Sequence, residues 1–114
     1  MRNISPSIIA GDFSKLDREI KELEDLGINR LHLDVMDGNF VPNLTFGPLL
    51  VEGIRKLTSI HLECHLMINN PMQYIDDYIL CYNNLYQFVQ LQLYPYFHHG
   101  KVKLFFLICL SEIY

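Results

Sequence analysis

The sequence lacks the features that mark secreted, membrane or nucleic-acid-binding proteins. Three cysteines among 114 residues are an odd number without metal-type pairing, which disfavours a disulfide framework and favours a reducing cytoplasmic location. A basic excess is missing, because the formal net charge is −4, so no nucleic-acid partner is expected. No apolar run approaches the roughly 20 residues that cross a bilayer, and the first residues do not resemble a secretory signal. We therefore expect a soluble, cytoplasmic protein with no membrane partner.

Hydrophobic periodicity at the start of the chain predicts a strand and then a helix. Ile4–Ala10 is short and apolar, which favours a buried strand. Ser14 stands at the position of a helix N-cap in a capping-box-like segment. Leucine and isoleucine then recur at helical spacing as far as Gly27, which occupies the place of a helix C′ glycine.

The same order of strand and helix recurs twice more. Leu31–Met36 and Ile60–Ile68 alternate between apolar and polar residues, which predicts two further strands. Pro48 marks the beginning of a second helix, and Asn70 with Pro71 marks the beginning of a third. Repeated strand–helix units predict parallel strands joined by right-handed crossovers.

The arrangement of these units favours a barrel over a dinucleotide-binding sheet. No glycine-rich phosphate fingerprint follows the first predicted strand. In a (β/α)₈ barrel the leucines of the second strand face the helices, and His32 and Asp34 face the barrel interior. The predicted fold class is therefore α/β, a partial TIM barrel with three strand–helix units in residues 1–79.

The second part of the chain has a different character. From Tyr78 to Gly100 it contains no Asp, Glu, Lys or Arg, and helical periodicity fades. Residues 80–114 are therefore predicted to form a divergent tail rich in aromatic and amide side chains. Our hypothesis for its origin is another reading frame, a retained intron or a mis-joined gene model.

Three polar residues on the predicted strands suggest a metal site. His32 and Asp34 are two positions apart on one strand, so their side chains share a face. His65 lies on the next strand and faces the same side if the register holds. Two imidazoles and a carboxylate suit a divalent transition metal. Spacing alone leaves the alternative of a hydrogen-bonded polar pair near a loop.

Three longer motifs narrow these alternatives. They are Ser-Pro-Ser-Ile-Ile-Ala-Gly-Asp-Phe at residues 5–13, His-Leu-Asp-Val-Met-Asp-Gly-Asn-Phe-Val-Pro-Asn-Leu-Thr-Phe-Gly at residues 32–47, and Cys-His-Leu-Met-Ile at residues 64–68, followed by Asn70-Pro71. In this order and at these separations, the motifs closely resemble those of the ribulose-phosphate 3-epimerase family. The resemblance covers residues 4–79.

The resemblance implies a function and a set of site residues. It implies a TIM barrel that interconverts D-ribulose 5-phosphate and D-xylulose 5-phosphate in the pentose phosphate pathway, so a sugar phosphate is the expected partner. It implies one divalent metal ion (Zn, Fe, Mn or Co) on His32, Asp34 and His65, with Asp34 also an acid/base residue. The residues that match substrate-contacting or pocket-lining positions are Ser7, Met36, His65 and Met67. For both methionines, packing in the core is the alternative role.

The sequence also departs from the family pattern. No Asp or Glu lies between Asp77 and Glu112, so the second acid/base aspartate, which is also the fourth metal ligand, has no match. The phosphate-binding loops of late barrel strands are not matched either, and Glu63 stands where the family usually has Asp. Activity of this chain alone is therefore doubtful. The alternatives are a catalytically inactive fragment or a protein that pairs with other barrel subunits, and a different phosphate-binding barrel enzyme such as a decarboxylase. Assembly as a homo-oligomer is a separate prediction.

Overall fold

A computed structural model describes residues 4–80, 89–91, 96–98 and 101–103 of the chain. Two short 3₁₀ turns, Ile8–Ala10 and Phe13–Lys15, come first. The helices and strands that follow are α1 (Leu16–Asp25), β1 (Arg30–Met36), α2 (Pro48–Leu57), β2 (His61–Met67), α3 (Pro71–Leu80), β3 (Val89–Leu91), β4 (Tyr96–His98) and β5 (Lys101–Lys103). In the described part of the chain, no helix is both long and apolar enough to cross a bilayer.

The strands form one parallel sheet and one antiparallel pair. The parallel sheet has the order β1-β2-β3, with Arg30 paired to His61 at one end of β1 and Met36 paired to Met67 at the other. Strand β4 pairs with β5 in the antiparallel direction. Parallel strands joined by helices confirm the α/β class. Within the described residues the sheet is open, so closure into a TIM barrel stays a prediction.

One face of the parallel sheet forms the core. The alternation predicted for β1 is confirmed, because Leu31, Leu33 and Val35 are buried there while the residues between them are not fully buried. The buried residues that join them from the neighbouring elements are Ile20, Val51, Ile54, Leu62, Cys64, Leu66 and Tyr78. Burial of a large apolar side chain stabilises a fold by about 1.5–3 kcal/mol. The apolar face therefore stabilises the packing of β1 and β2 against the helices.

The end of α1 is confirmed, and its beginning is corrected. Gly27 has a φ of 81° just after the helix, which suits a residue without a Cβ. Ser14 is not the N-cap. The Asp12 carboxylate accepts hydrogen bonds from both the backbone nitrogen and the hydroxyl of Ser14, so a 3₁₀ turn forms and α1 begins only at Leu16.

The predicted buried strand over Ile4–Ala10 is wrong. The segment meets the sheet at an isolated parallel bridge between Ser7 and His32, supported by the hydrogen bond from the His32 backbone nitrogen to the Pro6 carbonyl. Residues 8–10 then turn into a 3₁₀ helix, because the Gly11 nitrogen donates to the Ile8 carbonyl instead of to a neighbouring strand. Ser7 is nevertheless held beside β1.

The beginnings of the other two helices are confirmed. Helix α2 begins at Pro48 and α3 begins at Pro71, as expected for a residue whose missing N–H costs nothing in the first turn. Most of the predicted divergent tail, residues 80–114, lies outside the described residues. Its proposed origin therefore stays a hypothesis.

Candidate functional site

The face of the sheet opposite the core carries a cluster of polar side chains. His32 and Asp34 lie on β1, and Glu63 and His65 lie on β2. The register pairs His32 with Glu63 and Asp34 with His65, so all of these side chains project from the same face. The bridge to Ser7 adds the amino-terminal segment to the same place. We refer to Ser5, Ser7, His32, Asp34, Glu63 and His65 as the polar cluster.

Asp34 lies at the centre of the polar cluster. Its Oδ2 accepts a hydrogen bond of 2.6 Å from the Ser7 hydroxyl. Its Oδ1 lies 3.2 Å from Nε2 of His32 and 3.1 Å from Nδ1 of His65. The Asp34 carboxylate is therefore held by side chains from three separate segments of the chain.

His32 lies between two carboxylates. Its Nδ1 is 3.2 Å from Oε2 of Glu63, and that oxygen also accepts a 2.9 Å hydrogen bond from the Ser5 hydroxyl. The rings of His32 and His65 have centroids 5.4 Å apart and are tilted by 58°. Both imidazoles are thus oriented by carboxylates and turned toward a common space.

The two carboxylates of the polar cluster are ionised at neutral pH. Burial raises the pKa of Asp34, but hydrogen bonds from Ser7 and His65 outweigh it, so the pKa lies below its usual value. Burial likewise raises the pKa of Glu63, and hydrogen bonds from His32 and Ser5 bring it below the usual value. A partly buried face with ionised carboxylates favours the binding of a cation.

The donor atoms of the cluster fit a divalent metal ion. His32, Asp34 and His65 each offer one ligand atom, and these atoms all lie within 4.8 Å of one another. Nε2 of His65 is buried and has no hydrogen-bond partner among the described residues, which is unusual for a buried polar atom and is satisfied if it binds a cation. A set of two imidazoles and one carboxylate suits zinc and related transition metals.

Thr45 fixes the carboxyl end of β1 beside this cluster. Its hydroxyl donates to the Asp34 carbonyl at 2.7 Å and accepts from the Met36 nitrogen at 2.9 Å. Met36 and Met67, the predicted pocket residues, are partners in the strand register and are both partly exposed. They therefore border the cluster at the strand ends without belonging to its hydrogen-bond network.

Asp37 connects the loops that follow β1 and β2. Its Oδ1 accepts from the backbone nitrogens of Asn39 (2.8 Å) and Phe40 (2.7 Å), and its Oδ2 accepts from that of Asn69 (2.9 Å). Burial raises the pKa of Asp37, but these backbone hydrogen bonds lower it below its usual value. The loop at the mouth of the site is thus tied to the next strand–helix unit.

The structure brings together most of the residues predicted for the site. Ser7, His32, Asp34 and His65 lie in one hydrogen-bonded group. Their roles in binding and catalysis stay predictions. The sequence reasoning missed the contacts of Ser5, Thr45 and Glu63. The alternation of β2 was a usable signal for Glu63, because it places that residue on the same face as His65.

Comparison with known proteins supports the resemblance seen in the sequence. The sequence model of the ribulose-phosphate 3 epimerase family matches residues 3–93. The match extends beyond residue 79, where the sequence analysis placed the boundary between the barrel-like part and the tail. That boundary stays a prediction.

Curated relatives show where this similarity lies. The ribulose-phosphate 3-epimerases of Synechocystis and of Bacillus subtilis are each 51% identical to this chain over 75 residues, which cover 66% of the chain and 33% and 35% of those proteins. The chloroplastic ribulose-5-phosphate-3-epimerase of Arabidopsis thaliana is 47% identical over 76 residues, which cover 67% of the chain and 27% of that protein. The chain thus spans about a third of the length of the curated relatives it matches.

Proposed function

We propose, because the chain belongs to the ribulose-phosphate 3-epimerase family, that its polar cluster serves the interconversion of D-ribulose 5-phosphate and D-xylulose 5-phosphate. The observation that carries this proposal is the convergence of Ser7, His32, Asp34 and His65 on one face of the parallel sheet. Asp34 and His65 lie toward the carboxyl ends of their strands, the end at which parallel α/β proteins place their active sites.

Asp34 is the residue we assign to proton transfer. The hydrogen on C3 of the sugar phosphate lies beside the C2 ketone, so a base can remove it and leave the charge on oxygen. Asp34 is ionised, because hydrogen bonds lower its pKa, and it can therefore accept a proton at neutral pH. The hydrogen bond from Ser7 fixes the plane of the Asp34 carboxylate for this step.

His32, Asp34 and His65 are the side chains that would hold a metal ion. A bound divalent cation supplies positive charge to the oxygens that become negative when the proton leaves C3. We propose that this ion is Zn, Fe, Mn or Co. We also propose that the sugar phosphate contacts a further set of residues, namely Ser7, Met36, His65 and Met67.

Inversion at C3 also needs an acid on the opposite face of the substrate. Within the described residues, the other carboxylate of the cluster is Glu63, which Ser5 and His32 already engage and to which we do not assign this role. Exchange of the C3 hydrogen with solvent needs the base alone. It therefore tests Asp34 independently of the residue that returns the proton.

The experiment is an exchange assay in deuterated water. Ribulose 5-phosphate is incubated with the full chain and Zn²⁺, Mn²⁺, Fe²⁺ or Co²⁺ in turn, and loss of the C3 proton signal is followed by NMR. We expect exchange faster than with metal alone, and a decrease of about 10²–10⁴-fold in Asp34→Asn. The control Asp25→Asn, which breaks only an exposed ion pair with Lys21, should exchange like the wild type.

Two results would contradict this proposal. A folded wild-type chain that exchanges no faster than metal alone would remove the assigned activity from this chain. Exchange that is equally fast in Asp34→Asn would leave the activity but remove Asp34 as its base.

Cytoplasmic residence and assembly with further copies of the chain are also proposals. The odd number of cysteines disfavours a disulfide framework and so favours the cytoplasm, whereas the name of the Arabidopsis relative places that protein in the chloroplast.

A further inference from the structure

Glu63 has contacts that neither proton transfer nor direct metal binding uses. It faces His32 in the strand register, and its side chain is 18% exposed. One of its oxygens, Oε2, lies 3.2 Å from Nδ1 of His32 and accepts the 2.9 Å hydrogen bond from Ser5. Glu63 is thus a mostly buried carboxylate held against a metal-binding residue.

Glu63 competes with Asp34 for the hydrogen of the His32 imidazole. Both carboxylates are ionised and can only accept hydrogen bonds, and they lie equally near the ring: Oε2 of Glu63 is 3.2 Å from Nδ1 and Oδ1 of Asp34 is 3.2 Å from Nε2. A neutral imidazole has one N–H, and the other nitrogen then offers a lone pair. A metal ion bound by Nε2 needs the lone pair of that nitrogen, so the hydrogen then lies on Nδ1, where Glu63 accepts it.

The amino-terminal segment supports both carboxylates of the cluster. Ser5 donates to Glu63, and Ser7, two residues later, donates to Asp34. Alternate residues of an extended chain point to the same side, so a single segment orients the carboxylate that holds His32 and the carboxylate that contacts its other nitrogen. The geometry around His32 therefore depends on a chain segment remote from β2.

We propose that Glu63, held by Ser5, is a positioning residue that keeps the proton of His32 on Nδ1 and directs Nε2 toward Asp34 and His65, which strengthens metal binding by the cluster. A carboxylate behind a metal-binding histidine orients the ring and increases its basicity. The inference rests on the proposed metal site, and it adds a residue outside the three ligands.

The first test measures Zn²⁺ affinity of the full-length chain by competition with a chromophoric chelator. Glu63→Leu removes the acceptor at similar size, and we expect a loss of about 10–100-fold in affinity. Glu63→Gln retains an amide oxygen that can still accept, so its loss should be smaller. The matched control is Glu52→Gln, which alters an exposed ion pair with Lys56 on α2 and should bind Zn²⁺ like the wild type.

Circular dichroism of each variant separates loss of binding from loss of fold. A folded Glu63→Leu variant that binds Zn²⁺ as tightly as the wild type overturns the inference. If that variant does not fold, Glu63→Gln decides, because unchanged affinity together with an unchanged His32 spectrum also overturns it.

The second test locates the proton directly. Nitrogen-15 NMR of histidine-labelled, metal-free chain at about pH 8, where histidines are ordinarily neutral, distinguishes protonated from unprotonated ring nitrogens. We expect a larger share of the His32 proton on Nδ1 in the wild type than in Glu63→Leu, because that variant loses the acceptor at Nδ1 and keeps Asp34 at Nε2. The change in Glu63→Gln should be smaller, and a merely space-filling role would produce neither change. An equal share of protonated Nδ1 in the wild type and in folded Glu63→Leu overturns the inference.

These readouts distinguish failure of the inference from failure of the proposed function. If the wild type binds Zn²⁺ no more tightly than His65→Ala, the proposed metal site fails. The nitrogen spectrum still decides in that case whether Glu63 fixes the proton of His32.

Discussion

The two faces of the strand pair β1–β2 make different contributions, although alternate residues of the same strands build them. On one face Leu33 and its apolar neighbours pack against the helices. On the other, Asp34 and its hydrogen-bond partners form the group to which we assign cation binding. Because the side-chain period of a strand is two, adjacent residues can serve stability and chemistry separately.

The two faces also differ in how specific their side-chain contacts must be. Apolar burial is non-directional, so the core face tolerates exchange among side chains of similar volume. The polar face holds Asp34 with 16% and Glu63 with 18% side-chain exposure, and a partly buried charge is costly without hydrogen bonds. Serine hydroxyls and imidazoles from other segments of the chain supply these hydrogen bonds. The carboxylates are therefore stabilised only when those segments are packed together in the folded protein.

The largest effect on stability should come from the core face. Leu33 is fully buried, and Leu33→Ala removes its packing and leaves a cavity, which should lower the free energy of unfolding by about 2–5 kcal/mol. Denaturant titration measures this change. The control Leu49→Ala makes the same chemical change at a side chain that is 84% exposed, and it should stay within about 0.5 kcal/mol of the wild type. Equal losses in the free energy of unfolding in the two variants would contradict the assignment of the core to the face that carries Leu33.

Metal binding should stabilise the chain through the polar face alone. Zn²⁺ at 100 times its dissociation constant should raise the free energy of unfolding by about 2.7 kcal/mol, because the ion binds the folded state. The comparison is a thermal melt with Zn²⁺ and one after removal of the metal by EDTA. His65→Ala removes a proposed ligand and should abolish most of the difference. A Zn²⁺-dependent shift that persists in this variant would place the ion elsewhere.

Asp37 tests whether the loops that border the site contribute stability. Asp37→Ala removes the acceptor of three backbone N–H groups and should cost about 1–2 kcal/mol at neutral pH. Asp76→Ala, at an exposed position of α3, serves as the control in denaturant titrations. An effect of Asp76→Ala equal to that of Asp37→Ala would contradict the role given to the loop contacts.

The pH dependence of this effect has a definite sign. The pKa of Asp37 is lower in the folded state than its usual value, so its contribution is present above the usual Asp pKa of about 3.9 and is lost as the pH falls through the folded-state pKa. The difference in stability between the wild type and Asp37→Ala should therefore shrink as the pH falls below the usual Asp pKa of about 3.9 and the folded carboxylate becomes protonated. A difference that grows on acidification would contradict the assigned hydrogen bonds.

The smallest changes in the free energy of unfolding should come from replacing glycines with alanine. The change should be destabilising at Gly27, just after α1, and stabilising at Gly53, inside α2. Gly27 has a φ of 81° and open space around the position of a Cβ, so Gly27→Ala should cost about 1 kcal/mol through backbone strain alone. Gly53 lies inside α2, also with open space, and Gly53→Ala should stabilise by about 0.5–1 kcal/mol. Denaturant titration measures both, and destabilisation by Gly53→Ala would contradict the helix assigned there.

Elements of the fold with strong local signals were predictable from the sequence. The alternation in β1, the glycine after α1 and the prolines at the beginnings of α2 and α3 all correspond to the structure. The predicted strand over residues 4–10 and the predicted cap at Ser14 failed. Both depended on competition among nearby hydrogen-bonding groups, which residue type alone does not resolve.

The candidate site was predictable to a similar extent. His32, Asp34 and His65 followed from alternation along two strands, together with the family resemblance. The contact between Glu63 and His32 did not follow, because it depends on the relative register of two parallel strands that are distant in sequence. Side-chain conformation adds a further degree of freedom that periodicity does not specify.

The amino-acid sequence alone specifies which residues share a face of the sheet, because the backbone geometry of a strand fixes the direction of each side chain relative to the next. It also determined the chemical groups available for a metal and for proton transfer. Which of those groups touch one another depends on how the strands and the amino-terminal segment pack together. The parallel register places Glu63 beside His32 and His65 beside Asp34, and the amino-terminal bridge brings Ser7 to the Asp34 carboxylate. Contacts between distant segments are set by packing of the whole fold, because no local pattern specifies the register of two strands that are distant in sequence.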